Sequence, residues 1–215
     1  MRHSYSSLST YKECPAKYSY RYIEKLPDVP SAAMTRGTRL HKLCEDYLAG
    51  GPCPYDLKRI GLKIFQMRDR GAVSEQTWLL DHDWEPTPHP GEAMLKAVID
   101  VHDIDHDVLR IHDYKSGREY PEHQAQLELY SLIGLQRFPL ARRAEASAIY
   151  IDSGNEGSAV SIIRAMLPKL RERWDGLIAR VGNDGEFLPT PGGHCKRCSF
   201  RSDGGGPCDA WRRIK

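Results

Sequence analysis

The chain of 215 residues contains no run of 18 apolar residues, which excludes a membrane-spanning helix of ordinary length. Its first residues, Met1-Arg2-His3-Ser4, lack the apolar stretch of a secretory leader, so a soluble, cytoplasmic protein is expected. There is no surplus of either charge: 31 basic residues stand against 29 acidic ones, a formal +2, which argues against a global polycation. Six cysteines are too few for a dense disulfide scaffold at this length. In a reducing compartment, any that cluster are better explained by metal or cluster ligation. No internal repeat is visible, which leaves a globular chain long enough to bury its own core.

What the chain does have is an uneven charge. Between Asp81 and Asp107 there are eight acids and one base, Lys96, a local −7 that leaves +9 on the remainder. The acidic stretch coincides with two alternating segments, Ala97 to Ile104 and Val108 to Tyr114, either side of the polar tip Asp105-His106-Asp107. A turn centred between His106 and Asp107 sets Asp100 opposite Asp113. Side chains alternate along a strand, so Asp113 and Lys115 share a face and Tyr114 points away. Two acids and an amine then converge on one small volume, the minimum set for a cation that works on a phosphodiester.

Around this hairpin the periodicity predicts helices over Ser6 to Glu13, from Pro15 through Tyr22, over Ser31 to Ala49, and through Leu57, Ile60, Ile64 and Met67. Glu75 to Trp84 reads as a strand and Pro86 to Pro90 as a loop. Pro121 opens a helix to Arg137, Glu145 to Asp152 is a strand, and Ser161 to Val181 is mostly helical with a kink expected at Pro168. The segment from Pro189 has no periodicity and is rich in glycine, cysteine and basic residues, as expected of a ligand-organised element. The whole, 1–215, is read as one domain, with a helical part to about 70, a sheet core from about 73 to 152, and a helix and tail from about 160.

Further candidates lie outside the hairpin. The imidazole of His41 suits transition-metal ions, and Glu45 one turn on is placed to orient it. Gln126 and Tyr130, four apart on a helix, are spaced to hold a phosphate or a base. Tyr18, Tyr20 and Tyr22 offer stacking surfaces, and Lys196, Arg197, Arg201, Arg212, Arg213 and Lys215 outnumber Asp203 and Asp209 at the C-terminus.

In order along the chain these residues read Gly37-x-x-x-His41, Asp100, Asp113-Tyr114-Lys115-Ser116-Gly117 and Gln126-x-x-x-Tyr130. The series resembles the RecB-type branch of the PD-(D/E)XK nuclease superfamily over nearly the whole chain. The resemblance implies an α/β fold with a restriction-endonuclease-like core, a central mixed sheet flanked by helices. It implies Mg2+ or Mn2+ held by His41, Asp100, Asp113 and the backbone carbonyl of Tyr114. It also implies catalysis by Asp100, Asp113 and Lys115, and DNA contact or positioning by Gln126 and Tyr130.

Cys195-x-x-Cys198 and Cys208 supply three thiol ligands, and a fourth is required for a closed site. Cys14, in its Cys-Pro-x-Lys-Tyr setting, resembles the N-terminal ligand of the iron-sulfur members of the family, the CRISPR-associated and AddB-type exonucleases. In those proteins a cluster joins the N- and C-terminal segments. A [4Fe-4S] cluster is favoured on that resemblance; four thiolates also suit zinc, and His194 competes with Cys14 for such a site. Cys44 and Cys53 are read as free thiols. The expected activity is a metal-dependent DNA exonuclease acting at ends or on single strands in repair, recombination or phage-type processing. A helicase or recombination protein is a possible partner, and no membrane is involved. The alternatives are an inactive nuclease-fold DNA-binding or assembly module and a zinc-stapled nucleic-acid-binding protein.

Overall fold

The computed structural model describes residues 2–28 and 30–213, which form two compact units. The first comprises residues 1–2 and 31–171, the second 3–30 and 172–215.

The first unit is built on a five-stranded mixed sheet in the order β1-β2-β3-β4-β5: Val73–Leu80, Leu95–Asp105, Val108–Lys115, Arg143–Tyr150 and Val160–Ile163. All neighbours are antiparallel except β3 and β4. That parallel pair needs a crossover, supplied by the helix Glu122–Arg137. The β2–β3 hairpin has the register expected from its sequence: Asp105 pairs with Val108 and Val101 with His112. His106 takes φ +55° at the tip, a backbone conformation that a tight two-residue turn demands.

Helices cover both faces. On one, the helices Ala32–Leu48 and Gly61–Asp69 bury Leu40, Cys44, Leu48, Ile64 and Met67 against Val101, Tyr114 and Ile149. On the other lies Glu122–Arg137, which is buried without interruption from Leu129 to Leu135, the pattern of a helix enclosed on most sides. Gly134 explains how it comes so close to the sheet. A Cβ there would stand 2.5 Å from Leu109 Cδ2 and 3.0 Å from Trp78, so any larger residue forces the helix and sheet apart.

The second unit begins with helix Tyr5–Glu13, capped reciprocally by Ser4 and Ser7. A short turn of helix, Pro15–Tyr18, follows and runs into a π-helical turn, Ser19–Ile23. Residues 172–183, from the helix Leu167–Asn183, belong to this unit. Tyr18 stacks on Phe187 at 5.9 Å and meets Tyr11 edge-on at 5.6 Å, and Tyr20 packs on Phe200 at 5.5 Å. The N-terminal tyrosine stripe is therefore packing rather than an exposed stacking surface; Tyr18 is 1% exposed.

Two sequence expectations need correction. Val160–Ile163 is an edge strand paired with β4, not the start of a helix. Consequently Pro168 falls in the first turn of Leu167–Asn183, where its missing N–H costs nothing and no kink arises.

Candidate active site

The β2–β3 ladder ends at Val101↔His112, one pair before Asp100 and Asp113. Where the backbone pairing stops, a side chain replaces it: Tyr114 N–H donates to Asp100 Oδ2 at 2.7 Å. Asp100 Oδ1 lies 3.3 Å from His41 Nδ1, so Asp100 orients the imidazole. Glu45, the residue expected to do so, pairs with Lys42 instead. The Gly37-x-x-x-His41 spacing has a steric basis: a Cβ on Gly37 would stand 3.3 Å from Ser116 Oγ, so glycine lets this helix lie close to the end of β3.

Asp113 is 3% exposed. Gln126 Nε2 donates to its Oδ1 at 3.0 Å, and Lys115 Nζ lies 2.5 Å from its Oδ2. That last contact is a buried ion pair, so both carboxylate oxygens of Asp113 have partners. Gln126 ties the group together: its carbonyl accepts from Lys115 at 2.8 Å and its amide also donates to the Tyr130 hydroxyl at 2.8 Å. These bonds fix the orientation of the amide, since a flipped Gln126 would face the ammonium with N–H groups. The structure thus brings His41, Asp100, Asp113, Lys115, Gln126 and Tyr130 into one network. Tyr114 itself points away into the core, leaving its backbone beside Asp100.

The electrostatics are those of a site short of positive charge. Burial pushes the Asp113 carboxyl up to about 6, with Lys115 opposing and Asp100 reinforcing the shift. Burial disfavours a charged His41, yet the adjoining Asp100 carboxylate outweighs it and raises the imidazole above its ordinary value.

Sequence reasoning missed Glu75. A carboxylate oxygen of Glu75 and ligand atoms of His41 and Asp100 all lie within 4.8 Å of one another. In β1 the register passes from Ser74↔Val101 to Gln76↔Ile99, omitting Glu75 opposite Asp100, and Glu75 takes φ +51°. A non-glycine residue in that region inside a strand is unfavourable and points to a functional constraint. Burial, then Asp100 and Glu45, raise its carboxyl. The signal available in the sequence was only an acid at the start of a strand paired with that of Asp100.

This donor set fits a divalent cation. It offers carboxylates and an imidazole, with ligand atoms of His41, Glu75 and Asp100 within 4.8 Å of one another.

In the second unit all four expected cysteines, Cys14, Cys195, Cys198 and Cys208, line a single cavity of only about 10 Å³ together with Lys17 and His194. Cys195 and Cys198 are carried by the 3-10 turn Gly193–Arg197, where Gly192 N–H donates to Cys195 Sγ at 3.4 Å. Cys208 is brought back by its N–H bond to Phe200 O and a bridge to Arg201. His194 Nε2 is 3.6 Å from Cys195 Sγ. All six thiols are free, and burial pushes Cys44 up to about 12, in keeping with an inert packing residue. Although the four thiols line one cavity, no three of their sulfur atoms lie within 4.8 Å of one another.

The family profile described as the PD-(D/E)XK nuclease superfamily matches residues 2–89 and 57–202. The chain belongs to the PD-(D/E)XK nuclease superfamily. Members generally use Mg2+ or Mn2+, in agreement with the donor set around Asp100. Among solved structures, SSO0001 matches with a TM-score of 0.51 and 18% identity, over 97% of this chain and 86% of that one. A Eubacterium rectale protein, whose designation as an exonuclease is itself provisional, matches with a TM-score of 0.54 and 16% identity, over 100% of this chain and 88% of that one. At such identities these likenesses establish the fold. No curated protein matches the chain. No described helix is long and apolar enough to cross a membrane.

Proposed function

We propose that this superfamily member is a RecB-type, metal-dependent DNA exonuclease of a single nuclease domain, acting on DNA ends or single strands in repair, recombination or phage-type processing inside the cell. The observation that carries the reading is the convergence of His41, Asp100, Asp113 and Lys115 in one network of hydrogen bonds and ion pairs, with Asp113 buried at its centre.

His41, Asp100, Asp113 and the Tyr114 carbonyl would hold Mg2+ or Mn2+, with Glu75 beside them. Such an ion supplies Lewis acidity to a phosphoryl oxygen and to a water molecule. The chain's own groups do the rest. Lys115, steadied by Gln126 and Asp113, presents an ammonium that hydrogen-bonds the attacking water or offsets charge developing on the phosphate. Gln126 and Tyr130 position that pair and border the DNA. Asp100 holds both the imidazole of His41 and the Tyr114 amide, so it fixes two flanks of the site at once.

In the second unit, Cys14, Cys195, Cys198 and Cys208 hold a [4Fe-4S] cluster in our reading, which is supported by their shared cavity. Zinc is the competitor: it is colourless, whereas a cluster absorbs broadly near ~400 nm through its sulfur–iron bonds. A helicase or recombination protein is the partner that would supply unwound DNA in this reading.

The test is cleavage of end-labelled single- and double-stranded DNA with Mg2+ or Mn2+, with circular DNA as control. We expect linear substrates to be degraded, circles spared, and Asp113→Ala and Lys115→Ala inactive with unchanged circular dichroism. Full activity in both variants would sink the assignment.

A further inference from the structure

Beside the cation site, the first turn of Glu122–Arg137 carries a group that the nuclease reading leaves unused. His123 lies three residues before Gln126, on the same side of the helix. Its Nδ1 is 2.8 Å from the Tyr150 hydroxyl and accepts the Tyr120 backbone N–H at 3.4 Å. A nitrogen that accepts a backbone N–H carries no proton, so Tyr150 O–H donates to it and the ring proton resides on Nε2. Burial and the nearby Lys115 charge both lower the His123 pKa, favouring this neutral form. Nε2–H is then a donor with no partner among the described residues.

Tyr150 is the β4 register partner of Lys115, which puts the His123–Tyr150 pair beside the proposed catalytic lysine. Next comes Tyr120, whose ring is 43% exposed and meets His123 edge-on at 5.6 Å. Arg118 lies 5.0 Å over that ring and donates from Nε to the Tyr120 hydroxyl at 2.9 Å. Its terminal nitrogens have no partner among the described residues. The loop also carries acids. Glu119 is turned toward residue 157, its Oε1 3.2 Å from where a Cβ on Gly157 would stand, and Glu122 follows at the helix start. With acids so close, charge alone would not favour a bare phosphate here, and recognition has to draw on the aromatic ring.

We infer that Arg118, Tyr120 and His123 form a subsite for an unpaired nucleotide next to Lys115. Its base stacks on Tyr120, and its phosphate takes hydrogen bonds from Arg118 and His123 Nε2. The inference rests on the nuclease reading and narrows it to single-stranded substrate at this edge of the site, because a base is available to an aromatic side chain only when it has left its own stack.

The experiment is fluorescence anisotropy in EDTA, where no cleavage occurs, with an oligothymidylate of about ten nucleotides and a blunt duplex of the same length. For Tyr120→Ala, Kd for the single strand should rise about tenfold, while duplex binding stays unchanged and Tyr120→Phe stays within about twofold of wild type. Arg118→Ala should weaken single-strand binding and flatten its logarithmic salt dependence by about 0.7, one phosphate contact. Single-strand affinity unchanged in Tyr120→Ala overturns the subsite, as does an equal loss for strand and duplex or a failure of the wild type to bind the strand. Wild-type cleavage with Mn2+, measured in parallel, reports separately on the nuclease reading: a protein that binds the strand as described yet cuts nothing removes only that reading.

Discussion

Asp113 and Cys195 are both buried potential ligands, and the chain holds them by opposite means. Asp113 stands at the end of a strand whose neighbours are paired on either side, fixed by Gln126 and packed among helices. Cys195 sits in a 3-10 turn that Cys198 caps, in a tail with no helix longer than five residues among the described residues after Asn183. Among the described residues past 183, the buried side chains are few: Cys195, Phe200 and Ala210. The first site is built before any ion arrives. The second is held by a few aromatic contacts, Tyr18 on Phe187 and Tyr20 on Phe200, so a group bound by its thiols in the proposed reading would serve as part of the fold.

The largest expected effect tests the first half of that contrast. Lys115→Ala should reduce cleavage by about three orders of magnitude or more, as loss of a charge aimed at the reacting phosphate does. Its thermal midpoint should move by only a few degrees, since Lys115 sits at the rim with a side chain 21% exposed. An inactive protein that has also lost its cooperative transition would show instead that the site is not prebuilt. The mirror-image variant, Cys14→Ser, should bleach the ~400 nm absorbance and expose the tail to limited proteolysis, as the loss of a structural ligand does. A complete cluster in Cys14→Ser would remove that residue from the ligand set.

The same contrast explains what was legible in the sequence. The β2–β3 register followed from a two-residue turn between alternating strands, because a slip of one residue would turn every core residue outward. The motif series found the network because hydrogen bonding among Asp100, Asp113, Lys115 and Gln126 demands those residue types in fixed places. Glu75 escaped because its role comes from a φ of +51° and a skipped pair in β1, neither of which has a signature in composition. The strand Val160–Ile163 was hidden by its shortness, and the tyrosine stripe was ambiguous because exposed and packed aromatics have the same spacing. Four cysteines at unrelated spacings were gathered by the pairing of residues 3–30 with the C-terminal segment in one unit, a tertiary fact that spacing alone does not supply.

A middle-sized effect should come from Glu75→Gln. If Glu75 adds a third charged or imidazole donor to the pair His41 and Asp100, removing its charge should weaken Mn2+ binding about tenfold by calorimetry while leaving the fold intact. Rescue of cleavage at raised Mn2+ concentration would confirm that the loss lies in ion affinity; unchanged affinity would leave the strained backbone at Glu75 without a functional reason.

The smallest effect is on stability, and it sharpens the idea of a site assembled at a cost. Asp113 titrates at about 6 in the fold against 3.8 when exposed, because burial opposes its charge more strongly than Lys115 favours it. A carboxyl raised in this way binds its proton more tightly in the folded chain, so its contribution to stability is fully present below pH ~4 and is lost as the pH rises through ~6. Asp113→Asn, which mimics the protonated group, should therefore stabilise the protein in EDTA by about 1–3 kcal/mol at pH 8 and by about half as much at pH 5. Thermal melts at the two pH values measure it. A variant less stable than wild type at pH 8 would mean that the Lys115 pair outweighs burial, and that the metal-free site is already satisfied. The expected gain would instead show a carboxylate kept at the expense of stability, as a functional group in a buried site is.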